Sequence, residues 1–140
     1  MYVDEKVTIF QAERVVENKR FEDILTSAFE GGCNYWLSLN STDIAKEAES
    51  LDGELNIEKQ LLKGGNLNCY DNLNPDEKLG VLSLVRIRAA LQAMARGKDL
   101  KDKENYQLKK HFDNFVEEND DAETADVIIQ IAVMKEIVFG

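Results

Sequence analysis

The run from Ala122 to Lys135 constrains the fold most, because its apolar residues leave almost no face for solvent. Val127, Ile128, Ile129, Ile131, Ala132 and Val133 point in nearly every direction around a helical wheel. A helix that is apolar all round has to be enclosed by other elements. Asn119-Asp120-Asp121 precedes it, and carboxylates there suit the unpaired N–H groups of a helix amino terminus. The remainder of the chain is therefore expected to wrap around this helix.

Upstream, Phe21, Ile24, Leu25, Ala28 and Phe29 recur at i, i+3, i+4, i+7 and i+8, one apolar stripe of a helix. Gly31-Gly32 is expected to end that helix in the left-handed conformation common at helix C-termini. Cys33 to Leu39 then alternates as a strand, with Asn34, Trp36 and Ser38 on its more polar face. The same order, helix then Gly-Gly then strand, returns with Ile57–Lys63, Gly64-Gly65 and Asn66–Asp71. Between them, Asn40 to Gly53 is a polar loop with a helical turn near Asp43–Glu49. Ahead of both, Val7–Phe10 is β-prone, and the run through Val16 makes a strand or a strand and turn.

Asn74-Pro75-Asp76-Glu77 carries both a helix-start and a turn signature. Strand-like flanks favour the turn, leading to a strand Lys78–Leu82 and then Ser83 capping a helix to Arg96, stopped by Gly97. A charged helix follows, burying Leu108, Phe112, Phe115 and Val116. The ending Glu136–Gly140 is expected to tuck into the fold. These elements predict one compact α+β domain over residues 1–140, with a small mostly antiparallel sheet packed against helices and a helical C-terminal half.

Composition narrows the function classes. The net charge of −10 disfavours direct nucleic-acid binding, which draws its affinity from Lys and Arg, and suits docking on a basic partner. Between Leu84 and Lys110, however, eight Lys or Arg face three acidic residues, so a local anion site or a solvated helix face is open there. Cys33 and Cys69 are the only cysteines and read as buried thiols rather than a disulfide. Neither a secretion signal nor a membrane-spanning run stands out, so a cytoplasmic location is expected.

No catalytic or cofactor signature is present. His111 is the only histidine and has no nucleophile near it in sequence. The acidic run Glu117, Glu118, Asp120, Asp121, Glu123, Asp126 lacks the spacing and glycine of a calcium loop, so no metal site is expected. Neither Gly-Gly pair matches a phosphate-binding loop. What remains is binding. Tyr35, Trp36, Tyr70, Arg86 and Arg88 lie on elements expected to adjoin, and aromatic faces with guanidinium groups can hold a nucleotide. Core packing is the competing account of the two tyrosines, and for Trp36 the two accounts are balanced.

Three stretches carry a resemblance: Ile24-Leu25…Ala28-Phe29-Glu30-Gly31-Gly32…Tyr35-Trp36, Leu61-Leu62-Lys63-Gly64-Gly65, and Thr124-Ala125-Asp126-Val127-Ile128-Ile129-Gln130…Glu136-Ile137-Val138-Phe139-Gly140. Together they are similar to a family of small uncharacterised proteins of bacteriophages and prophages, over roughly Glu22 to Gly140. The resemblance implies an accessory, counter-defence role and supplies no catalytic residues. Two routes follow. One is sequestration of a small anionic, nucleotide-like ligand or signal by Tyr35, Trp36, Tyr70, Arg86 and Arg88. The other is inhibition, as a nucleic-acid mimic, by docking an acidic surface of Glu117, Glu118, Asp120 and Asp121 onto a host nuclease such as a CRISPR effector. A structural role in the particle is a further class, since the apolar last helix offers a surface for homo-oligomers.

Overall fold

The computed structural model describes residues 2–3, 6–10, 14–119 and 121–140. Its elements are β1 (Tyr2–Val3), β2 (Val7–Phe10), β3 (Arg14–Glu17), α1 (Lys19–Ser27), β4 (Leu37–Ser38), α2 (Ser41–Glu49), α3 (Ile57–Leu62), β5 (Leu67–Asp71), β6 (Lys78–Leu82), α4 (Leu84–Met94), α5 (Tyr106–Val116) and α6 (Ala122–Met134). This is the expected α+β class with a helical C-terminal half. The strands form two small antiparallel sheets instead of one, ordered β1-β2-β3 and β4-β5-β6.

Helix starts follow from side chains that accept backbone N–H groups. Asn40, Asn56, Ser83, Asn105 and Asp121 cap α2 to α6 in turn, each satisfying one orphan donor of a first turn. Asn74–Glu77 is the turn of the β5–β6 hairpin, in which Leu67 faces Leu82 and Cys69 faces Gly80.

Helix α6 is the axis, as its composition demands. Every residue from Thr124 to Val133 is buried, and α1, α4, α5 and β6 all pack on it. Strand β6 comes so close that a side chain at Gly80 would lie 2.4 Å from the Val133 carbonyl oxygen. The apolar residues of the helix from Ala125 to Val133 are thus enclosed by the chain's own elements. Among the described residues no helix is long and apolar enough to cross a membrane.

The segment after α1 departs most from the expected pattern. The chain widens into a π-helical turn, Ala28–Gly32, closed by a hydrogen bond from Cys33 N to Ala28 O, and then makes a single tight turn held by a hydrogen bond from Leu37 N to Cys33 O. Only Leu37–Ser38 is extended, so the alternation expected over Cys33–Leu39 does not exist. Gly32 is not left-handed; it is needed because a Cβ there would sit 2.7 Å from the Ala122 carbonyl oxygen at the start of α6. At the second pair the left-handed reading holds for Gly64, at φ +89°. Gly65 instead repeats the close approach, 2.8 Å from the Gln60 carbonyl oxygen.

Candidate functional site

With the Cys33–Trp36 segment coiled, the faces of its aromatic pair exchange places. Trp36 is 2% exposed and Tyr35 is 49% exposed. Trp36 stacks on Phe139 with ring centroids 5.5 Å apart and planes 15° apart. Its Nε1–H donates to Asp126 Oδ1 at 2.7 Å, and the Tyr35 hydroxyl donates to Asp126 Oδ2 at 2.5 Å. The expectation of Trp36 on the more polar face of a strand is therefore corrected, and of its two balanced accounts core packing is the one observed.

Asp126 and Gln130, one turn apart on α6, organise what surrounds them. Gln130 Nε2 donates to Asp126 Oδ1 at 3.0 Å and to the Phe139 carbonyl at 3.0 Å. Gln130 Oε1 accepts from the backbone N–H groups of Val138 and Phe139, both at 2.9 Å. One buried amide thereby pins the chain's last residues over Trp36. Burial, then the Asp126 carboxylate, pushes the Tyr35 phenol up to about 12. The same two causes raise the Cys33 thiol, and burial lifts Cys69 to about 12. Both cysteines are buried and unbridged, so neither thiol is poised as a nucleophile.

Over this network opens a cleft of about 500 Å³ between Tyr35, α5, α6 and the C-terminal segment. Its lining includes Gln107 and His111 from α5, Glu123, Asp126 and Gln130 from α6, and Ile137 and Phe139. A neighbouring hollow of about 350 Å³ shares Gln107, His111 and Glu123 with it. His111 Nδ1 lies 2.8 Å from the Thr124 hydroxyl. No group of three metal-ligating side chains exists among the described residues. The cleft offers hydrogen bonding, aromatic surface and negative charge.

The five residues expected to hold a ligand are not brought together; none of the described cavities is lined by more than one of them. Tyr35 alone lines the cleft. Tyr70 donates to Asp43 Oδ2 at 2.5 Å, on the β5 side of α2. Arg86 turns back onto α6, its Nε donating to the Ala132 carbonyl at 2.8 Å, where it meets the negative end of the helix dipole. Arg88 stands over the Phe21 ring at 5.2 Å, and burial lowers its pKa. The two arginines are two positions apart on one helix, which sends them to different faces.

The acidic surface is placed at the junction of α5 with α6. Glu117 reaches the half-buried Arg14 at 3.7 Å and Glu118 reaches the buried Arg20 at 3.9 Å, both loose distances that leave the carboxylates exposed. Asp121 caps α6 through Thr124 N. Asp120 lies outside the described residues. Sequence reasoning missed Asp126, Gln130, His111 and Phe139. A signal for the first two was present: they are polar residues four apart in a helix otherwise apolar all round. No protein-family model, curated protein or solved structure matches this chain.

Proposed function

We propose that this is a non-catalytic accessory protein of the phage and prophage kind that acts by docking its acidic α5–α6 junction on a basic surface of a host protein. A nucleic-acid channel of a defence nuclease is such a surface. The observation that supports this reading is how the two signs of charge are spent. Most of the basic residues that suggested an anion site are engaged within the chain: Arg86 on α6 carbonyls, Arg88 on Phe21, Lys98 on Asp102, and Lys101 and Lys103 on Glu136, whereas Lys109 and Lys110 stand exposed on α5. The carboxylates Glu117, Glu118, Asp121 and Glu123 are all exposed at one end. An acidic patch beside a surplus of negative charge steers association with a cationic partner and makes it salt-dependent. Sequestration of an anionic nucleotide by the aromatics and arginines is not proposed, since Trp36 and both arginines are committed to the fold.

The test is capture of a host nuclease with the purified protein, followed by a cleavage assay of that nuclease. The complex should inhibit cleavage, weaken about tenfold on raising salt from 50 to 200 mM, and weaken further in Glu117→Gln/Glu118→Gln/Asp121→Asn. Asn is chosen at 121 because it keeps the helix cap. An affinity indifferent to both salt and these changes removes the reading.

A further inference from the structure

Asp126 is 8% exposed, yet it forms no ion pair with a Lys or Arg among the described residues. Its oxygens are met by neutral donors only, from Tyr35, Trp36 and Gln130. A buried carboxylate is ordinarily compensated by a cation or a metal. Here the compensating charge is missing, and the carboxylate lines an open cleft. Glu123, one turn earlier on α6 and exposed, lines the same cleft, and no Lys or Arg does so among the described residues. Tyr35 and Phe139 add aromatic surface to that lining. Carboxylates flanked by aromatic rings favour an alkylammonium or guanidinium group, through charge-assisted hydrogen bonds and cation–π contact.

We propose that this cleft receives a single basic side chain, arginine or lysine, presented by the docked partner. In this arrangement Glu123 makes the direct ion pair at the mouth. Asp126 supplies an uncompensated negative field at the floor, in a region where water screens little. Tyr35 offers its ring to the face of a guanidinium, whose planar, weakly hydrated shape suits it better than an ammonium. The inference rests on the docking reading for its partner, and assigns that partner an anchor residue. It also gives the cleft a role separate from Glu117 and Glu118, whose charges steer rather than seat.

Trp36 makes the proposal measurable, because it is the only Trp and touches both Asp126 and Phe139. Its indole N–H gives one NMR signal from beneath the cleft. The probe is a blocked arginine amide, titrated beside the blocked citrulline amide, which has the same shape without the charge. Arginine should shift the indole signal saturably and citrulline should not. Glu123→Gln should weaken the arginine response about tenfold, while Glu117→Gln/Glu118→Gln should leave it intact. Glu123 is exposed in the first turn of α6, so that change leaves the core alone. Equal responses to arginine and citrulline, or no saturable response to arginine, overturn the proposal. Loss of nuclease capture with an intact arginine response sinks the docking reading and leaves the cleft standing. Capture without an arginine response does the reverse.

Discussion

Two tyrosine–aspartate pairs, Tyr35 with Asp126 and Tyr70 with Asp43, share one bond length and differ in everything around it. Both phenols donate at 2.5 Å, and both have raised pKa values. For Tyr35 the first cause is burial; for Tyr70 it is the hydrogen bond itself. Asp126 is enclosed with an indole and an amide also on its oxygens, whereas Asp43 is half-buried with Asn68 as its second donor at 3.2 Å. A hydrogen bond is worth what its loss leaves behind. Around Asp126 that is a buried indole and a buried amide without water, beside the half-exposed Tyr35 hydroxyl; around Asp43, solvent replaces the partner.

The sharpest way to break the comparison is to delete each carboxylate. Asp126→Ala should destabilise by about 2–4 kcal/mol, since the Trp36 N–H, the Tyr35 hydroxyl and one Gln130 donor lose their acceptor together. Asp43→Ala should cost below about 1 kcal/mol, most of it a lost carboxylate in the first turn of α2. Urea unfolding followed by far-UV circular dichroism measures both. Equal costs would mean that the Asp126 network is no more than a surface contact.

The next largest effect concerns how Tyr35 and Trp36 reach α6. Gly32→Ala puts a Cβ against the Ala122 carbonyl at 2.7 Å, backbone on backbone, where neither side yields easily. A cost of about 1–3 kcal/mol is expected, together with a shifted Trp36 fluorescence maximum as the indole loses its seat. Gly31→Ala meets nothing within 4 Å and should leave both readings unchanged. The adjacent pair therefore separates close approach from simple helix termination.

The contrast between these glycines also marks what the sequence could reveal. Helical periodicity, the caps at Ser83 and Asp121 and the Lys78–Leu82 strand were legible because each is a local pattern. The central burial of α6 was legible because composition alone excludes a solvent face. The coil at Cys33–Trp36 was not, since apolar alternation over a few residues is satisfied equally by a strand or by a tertiary contact. The contacts it makes there are non-local, the Trp36 indole meeting Asp126 ninety residues away in sequence and Gly32 meeting Ala122. The dispersal of Tyr70, Arg86 and Arg88 was hidden for a similar reason: each side chain is claimed by a non-local acceptor or ring. Asp126 and Gln130, by contrast, were visible as polar interruptions of an apolar helix.

The smallest effects come from removing only the hydroxyls. Tyr35→Phe should cost about 1 kcal/mol at neutral pH, and Tyr70→Phe should leave the unfolding midpoint where it is. Alkaline pH then sharpens the difference. The Tyr35 phenol is raised from about 10 to about 12, so the folded state favours its protonated form. That contribution is whole below pH 10 and is lost as pH rises towards 12. Stability measured between pH 9 and 12 should fall more steeply for the wild-type chain than for Tyr35→Phe, whereas Tyr70→Phe, which removes a phenol raised by its solvent-screened bond to Asp43, should depart from the wild type by less. In a spectrophotometric titration at 295 nm, the tyrosine that ionises at the highest pH should vanish with Tyr35→Phe. If Tyr70→Phe removes it instead, burial is not what sets the order of the two pairs.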